Sequence, residues 1–459
     1  MARQSPEHLR VALLVYRGNP HSGGQGVYTR YLSRELVALG HHVTVFAGQP
    51  WPELDAGVGW VPVPSLDLYR EPDPFRLPRL REFRTPVDVL EFGLMCTGGF
   101  PEPLTFSLRV RRELAARRGE FDVVHDNQCF GWGMLGVMAD GWPTVATLHH
   151  PITVDRALDL SHAATWKKRL SLRRWYGFLA MQKQVARRVP RVMTVSESSR
   201  RDIVAQMGVR PSQLVVVPVG VDHTRFRPQP VRRRIPGRIM TTASADVPLK
   251  GLVPLLEAVA KVRTERAADL VVIGRPRPES RAEETIERLG LGGAVQFVSG
   301  ASDGRIVDLY AEASVAVVPS LYEGFSLPAV EAMACGVPVV ATTGGALPEV
   351  VGKDGVTGLL VPPADPGALA AALGRVLDEP ELAARLSAAG RRRVLERFTW
   401  QACALGTVEH YRHMVDQMAG DGGAASGGAA RVRPQWRHPP AGGRRREGGS
   451  RPAVSSVSC

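Results

Sequence analysis

Ser320-Leu-Tyr-Glu-Gly-Phe-Ser-Leu-Pro-Ala-Val-Glu-Ala-Met-Ala-Cys-Gly-Val-Pro338 is flanked by two apolar runs, Val315–Val318 and Val337–Ala341. Short apolar runs of this kind read as buried parallel strands, with the loop and a helix between them. Pro328 suits the first helical turn, where its missing N–H is not needed. Glu323 precedes that helix and Glu331 lies inside it, with seven residues between them. Between them the N–H groups of Gly324, Phe325, Ser326 and Leu327 open a helix and face no intrahelical acceptor, which makes an anion site suited to a diphosphate. One carboxylate on each side can accept hydrogen bonds from hydroxyls at either end of that diphosphate. Ribose, diphosphate and hexose in that order make a nucleotide sugar. The bare spacing is equally met by two acids acting as partners of a helix dipole.

Outward from this unit the pattern repeats. The first half alternates strand-like runs with helical periodicity. Val11–Tyr16 is followed by the loop Gly23-Gly-Gln-Gly26, a helix over Tyr28–Leu39 and a strand at His42–Ala47. Further strands are expected at Val123–His125, Thr144–Leu148, Val192–Val195 and Leu214–Val217. The second half offers Arg238–Thr242, Leu270–Ile273 and Val295–Val298 before the opening stretch, with a helix at Val253–Val262 and two more near Pro366–Leu377 and Pro380–Phe398. Two successive α/β units of similar size predict two facing, doubly wound Rossmann-like domains. The expected organisation is a first domain over 1–220, a hinge over 221–236, a second domain over 237–399 and a last helix over 400–418. From 419 to 459 Gly, Ala, Ser, Pro and Arg dominate, and so few large apolar groups cannot offset the entropy of ordering, so a disordered tail is expected.

The chain of 459 residues carries a formal charge of +13, which favours anionic partners: a nucleotide diphosphate, an acidic lipid surface or nucleic acid. No finger, zipper or RNP-type motif supports the last, and no nucleic-acid partner is expected. Five scattered cysteines fit free thiols in a reducing compartment. Without a signal-peptide pattern or a membrane-length apolar run, cytoplasmic residence is expected.

With Gly-Phe-Ser-Leu-Pro and Cys-Gly-Val-Pro-Val-Val placed as they are, the opening stretch resembles the E-x7-E signature of retaining, nucleotide-sugar-dependent glycosyltransferases of family 4. The resemblance implies the two-Rossmann GT-B fold, with a C-terminal helix crossing back to the first domain. Glu323 would touch the donor sugar and Glu331 the ribose hydroxyls. Gly23 and Gly24 resemble the family's first loop, where small residues let a sugar or phosphate approach the backbone; a tight strand-to-helix turn explains them equally. His149, in Thr147-Leu-His149-His150, resembles the family's T-x-H histidine and stands at a strand's carboxyl end. Lys250 matches the lysine that neutralises the leaving diphosphate as a point charge. The arginine that accompanies it in the family is Ala245 here, leaving Ser244 or Arg275 as substitutes. Val219 stands where the family has Asn. Asp222 fits the family pattern and orders the hinge, and Gly344-Gly345 resembles a second donor-facing loop. His125 and Asp126 end another strand; Asp126 would either orient an acceptor hydroxyl or cap the chain.

Residues 164–183 mix Lys167, Lys168, Arg169, Arg173, Arg174 and Lys183 with Trp166, Leu170, Trp175 and Phe178. Such a helix either packs its apolar side on its own domain or lies on an anionic membrane, in which case a lipid acceptor at the inner face of the membrane follows. The expected protein moves a hexosyl group from a UDP- or GDP-linked sugar to a hydroxyl acceptor. With no Asp-x-Asp motif, no metal is expected on the diphosphate. A nucleotide-sugar epimerase and a non-catalytic nucleotide-sugar-binding protein are the alternatives.

Overall fold

The computed structural model describes residues 6–19, 24–70, 72–163, 165–243, 247–275 and 280–423. Gly23, Ser244, Ala245 and most of the expected disordered tail, residues 424–459, lie outside that set.

Two parallel sheets form the framework. The first contains β1 (Arg10–Val15), β2 (His42–Ala47), β3 (Gly59–Pro62), β4 (Val123–Asn127), β5 (Thr144–Thr147), β6 (Arg191–Thr194) and β7 (Leu214–Val216), in the order β3-β2-β1-β4-β5-β6-β7. The second contains β8 (Arg238–Thr242), β9 (Asp269–Ile273), β10 (Val295–Val298), β11 (Val315–Val318), β12 (Val339–Thr342) and β13 (Leu359–Val361), in the order β10-β9-β8-β11-β12-β13. Each sheet starts in its middle and grows first to one side and then to the other, which is the doubly wound plan. Central strands are buried on both faces: Val11 to Val15 and Val315 to Val318 are all core residues. That burial explains why they read as unbroken apolar runs. β3 and β13 escaped the sequence reading. β3 is a half-exposed edge strand containing Pro62, and β13 is three residues long among turn residues.

The core of the second sheet joins Ile239, Leu270, Val272, Val315, Val317 and Val340 to the apolar sides of the helices Leu252–Arg263 and Pro366–Asp378. Each fully buried aliphatic side chain contributes roughly 1.5–3 kcal/mol. Asp222 orders the turn after the hinge strand, since its Oδ1 accepts from the Thr224 hydroxyl at 2.6 Å and from the Thr224 and Arg225 N–H groups at 3.2 and 3.3 Å.

The chain divides into two compact units. One holds the described residues up to 146, 173–188 and those from 408 onward; the other holds 147–172 and 189–407. The last helix, Trp400–Gly423, has its start in one and its remainder in the other. In the second unit Val221 N–H donates to Phe398 O at 2.9 Å, just before that helix. In the first, Tyr411 is fully buried and its hydroxyl meets His125 Nδ1 on β4 at 2.7 Å.

Backbone space decides one glycine of the second sheet. Gly251, between the short 3-10 turn Pro248–Lys250 and the helix Leu252–Arg263, has φ +66°, and a Cβ there would lie 2.0 Å from the Pro319 carbonyl oxygen. Gly251→Ala is expected to lose more than about 2 kcal/mol through left-handed strain and displacement of the 319 loop. A lowered urea midpoint in equilibrium denaturation is the check, and an unchanged midpoint would contradict this packing.

Candidate active site

In doubly wound sheets a ligand binds beyond the carboxyl ends of the strands, where the winding reverses. In the second sheet that point lies between β8 and β11. The loop after β8 carries Lys250 and the loop after β11 carries Glu323. Backbone bonds hold them together with the loop after β12. Leu321 N–H donates to Leu249 O at 2.7 Å and Ala346 N–H to Glu323 O at 2.8 Å. The Thr342 hydroxyl donates to Ser320 O and accepts from Gly344 N–H at 3.2 Å. Gly344 and Gly345 permit this, because a Cβ on either would come within 2.5 Å or less of the carbonyl of Leu321 or Glu323.

Glu323 is thereby fixed, and two side chains meet its Oε1. Lys250 Nζ lies at 2.9 Å and the Ser320 hydroxyl donates at 2.7 Å. The Glu323 side chain is 11% exposed, so the ammonium beside it provides most of what water would otherwise supply to the carboxylate. The two residues assigned to opposite ends of the donor's leaving bond thus form an ion pair in this structure.

The helix that follows is Leu327–Ala334, with Ser326 as its N-cap. Ser326 has φ +94°, an uncommon conformation for a residue with a side chain, and its hydroxyl accepts from Ala329 N–H at 3.4 Å. Among the described residues, the N–H groups of Gly324, Phe325, Ser326 and Leu327 make no hydrogen bond. The Phe325 side chain is buried against Phe398, with 5.6 Å between ring centroids, so its contribution is backbone rather than ring contact.

Glu331 projects from this helix toward Tyr310, whose fully buried hydroxyl donates to Glu331 Oε2 at 3.5 Å and to Pro328 O at 3.2 Å. Burial, helped by the charge of Asp303, pushes the Glu331 carboxyl up to about 7. Burial disfavours its charged form, and the Tyr310 hydroxyl beside it offsets that only in part.

His149 follows β5 directly. Burial, with His150 nearby, lowers it to about 3, so its imidazole is neutral at physiological pH. His150 is committed elsewhere, with Nε2 2.7 Å from Asp155 Oδ2. A Cβ added at Gly324 would lie 3.2 Å from His150 Cβ and 3.6 Å from His149 O, so the histidine segment and the signature loop are neighbours within the second unit. Arg275 is exposed just beyond β9. Gly24 caps the helix Gln25–Ala38 in the first unit with φ +62°. Asp126 takes the capping role of its two alternatives: it is fully buried and accepts from Cys129 and Phe130 N–H at 3.0 and 2.8 Å. Ser320, Tyr310 and Thr342 were not singled out from the sequence, because each acts through a partner that folding alone brings near. Among the described residues no group of three or more His, Cys, Asp or Glu is placed to hold a metal ion.

Two parallel, doubly wound sheets, with strand-end loops gathered at the second switch point, form the framework of a GT-B glycosyltransferase. Family models agree: "Glycosyltransferase Family 4" matches residues 22–225 and "Glycosyl transferases group 1" matches 229–393. The chain belongs to glycosyltransferase family 4 and is a nucleotide-sugar-dependent hexosyltransferase. It is 54% identical over 412 residues to the MMP alpha-(1->4)-mannosyltransferase of Mycolicibacterium hassiacum, covering 90% of this chain and all of that protein (100%). It is 32% identical to the D-inositol 3-phosphate glycosyltransferase of Kineococcus radiotolerans, over 92% of this chain and 99% of the relative. Among solved structures, sucrose-phosphate synthase from Thermosynechococcus elongatus superposes with a TM-score of 0.66 at 25% identity, over 89% of this chain and 99% of that one.

The raised pKa of Glu331 has a defined consequence for stability. Below the ordinary carboxyl value of 4.5 the group is neutral whether the chain is folded or not. Between 4.5 and about 7 the unfolded chain releases the proton and the folded protein retains it, so stability falls as pH rises, and above about 7 the loss is complete. Glu331→Gln is therefore expected to raise the melting temperature of the ligand-free protein at pH 8, by an amount worth on the order of 2–3 kcal/mol, and to do so far less at pH 5. Thermal melts of both proteins at the two pH values measure it, and an equal effect at both would remove the burial argument.

Proposed function

We propose that this protein transfers a mannosyl group from a nucleoside diphosphate mannose to a saccharide hydroxyl, forming an α-(1→4) linkage with retention of configuration. The 54% identity to a mannosyltransferase of that linkage, over the full length of the relative, carries the choice of sugar and bond. The acceptor is then the one designated MMP in the relative's name, which is favoured over a lipid. Both GDP and UDP are compatible with the site.

The donor's diphosphate lies on the amides of Gly324 to Leu327, with the ribose hydroxyls on Glu331 and the hexose beside Glu323 and His149. Arg275, exposed beyond β9 in the same unit, borders the remaining donor surface. Lys250 exchanges its contact with Glu323 for the diphosphate. The acceptor oxygen forms the bond to the anomeric carbon while the bond from that carbon to the phosphate oxygen breaks, its electron pair leaving with the diphosphate. The departing phosphate oxygen takes the acceptor's proton. Glu323 positions the sugar and stabilises developing positive charge without forming a covalent bond. Neutral His149, with one ring N–H and one bare ring nitrogen, donates to or accepts from a sugar hydroxyl and carries no charge between pH 5 and 9. Oriented amides and an ammonium supply the stabilisation that a metal ion provides elsewhere, so the reaction proceeds without one.

The reaction takes place in the cytoplasm. Contact with an anionic membrane surface is supported by the helix Trp166–Trp175, which buries none of its residues and leaves Trp166 71% and Leu170 60% exposed among its basic neighbours. No described helix is long and apolar enough to cross a membrane.

Incubation with GDP-mannose, and in parallel with UDP-linked hexoses, together with a 4-OH-terminated α-mannoside should give one extended product, whose new anomeric signal by NMR is α. A β signal, or interconversion of the donor sugar without acceptor, would overturn the reading. Glu323→Gln and Lys250→Ala should each lower kcat by about 100-fold or more, as loss of a preorganised charge contact does. Full activity in Glu323→Gln would remove its assignment. Dialysis against EDTA should leave the rate unchanged.

A further inference from the structure

The loop that carries the diphosphate-binding amides makes few bonds to itself, and an anion site of backbone N–H groups works only when those groups point one way. Its orientation comes from the start of another helix, Glu197–Met207, in the same compact unit. Ser196 caps that helix by accepting from Ser199 N–H at 3.0 Å, and the same hydroxyl donates to the Gly324 carbonyl at 2.7 Å. The Ser199 hydroxyl donates to that carbonyl too, at 3.1 Å. Both serines are buried. On the other side of the signature acid, the Tyr322 hydroxyl donates to Asp202, one turn further along the helix. Glu349, after the Gly344-Gly345 loop, closes the arrangement, accepting from Glu197 N–H and Ser198 N–H at 2.7 Å each.

The consequence follows from peptide geometry. The bond between Gly324 and Phe325 is trans, and in a trans peptide the C=O and N–H point in opposite directions. Two hydroxyls drawing the Gly324 carbonyl toward helix 197–207 turn the Phe325 N–H away from it. Likewise Ala346 N–H, by holding Glu323 O, directs the Gly324 N–H to the side opposite Ala346. A side chain at Gly324 would crowd this contact, since a Cβ would stand 3.3 Å from Ser199 Oγ and 3.2 Å from His150 Cβ.

We infer that Ser196, Ser199 and the Tyr322–Asp202 pair are positioning residues for the transfer reaction: they aim the amides of the signature loop at the donor's diphosphate. The inference rests on the donor site proposed above, and a single set of titrations separates the two. Calorimetry of the wild-type protein with GDP and with UDP tests the donor site, since binding of neither would remove that site. The Ser196→Ala/Ser199→Ala variant, Tyr322→Phe and Asp202→Asn are then titrated with the diphosphate that binds, and with guanosine and uridine by ligand-observed NMR. Loss of a fixed hydrogen bond is expected to weaken diphosphate binding, and donor kcat/KM with it, by about tenfold in the first two variants. Asp202→Asn retains an acceptor oxygen for Tyr322 and should stay close to wild type. Nucleoside affinity should not change in any of them, because the nucleoside has no group on the aimed amides. Unchanged diphosphate affinity in the serine variant, or an equal loss for nucleoside and diphosphate, would overturn the inference. Should the serine variant fail to fold, the same two criteria are applied to Tyr322→Phe.

Discussion

An open row of amide donors at the entry to helix Leu327–Ala334 is the constraint around which the second sheet is arranged. Four consecutive N–H groups without acceptors are unfavourable wherever water is scarce. The carbonyls of the first two of these peptides are engaged on the other side. Glu323 O is taken by Ala346 and Gly324 O by Ser196 and Ser199. Bonding the carbonyl side of the loop turns the amide side away from those partners, so the proposed anion site comes from where the acceptors are satisfied rather than from any basic side chain. Glycines at 251, 344 and 345 allow three strand-end loops to pack within backbone contact of one another, and a Cβ at any of them would separate the parts.

Charge is arranged on the same principle of deferred satisfaction. Lys250 and Glu323 neutralise each other at 2.9 Å, which makes a cation and an anion tolerable in a partly buried site before any donor arrives. Glu331 has a hydroxyl from Tyr310 at 3.5 Å and no counter-ion within salt-bridge distance among the described residues, so its carboxyl resists ionisation. In the proposed donor pose a nucleotide relieves both conditions at once: the diphosphate takes Lys250 from Glu323 and the ribose hydroxyls give Glu331 its donors. A free phosphate or a nucleoside satisfies only half of this. On the proposed reading the site is matched to a complete nucleotide rather than to either fragment.

Much of this was legible before any coordinates. Val11–Val15, Val315–Val318 and their neighbours are apolar runs too short for helices, alternating with helical periodicity, and they specified two parallel sheets because only strands buried on both faces read that way. The Glu323–Glu331 string carried the family, since a loop, a proline and a glycine at a helix start are local features with local causes. β3 was missed because a half-exposed edge strand has no such run, and β13 because three residues give no period.

Chain order alone therefore specified the winding of both sheets and the position of the signature helix, because each depends on side-chain polarity and backbone freedom within a few residues. Tertiary structure alone decided which groups hold that helix's entry loop and how they are charged. Ser196 and Glu349 lie 128 and 152 residues from the backbone groups they meet at Gly324 and Glu197. Tyr310 and Thr342 likewise reach their partners from separate elements. Asp126 looked able to bind an acceptor or to cap a turn, and only folding showed its carboxylate closed on Cys129 and Phe130. Hydrogen bonds between distant segments and the desolvation that shifts Glu331 and His149 arise from packing, and packing leaves no pattern in the order of residues along the chain.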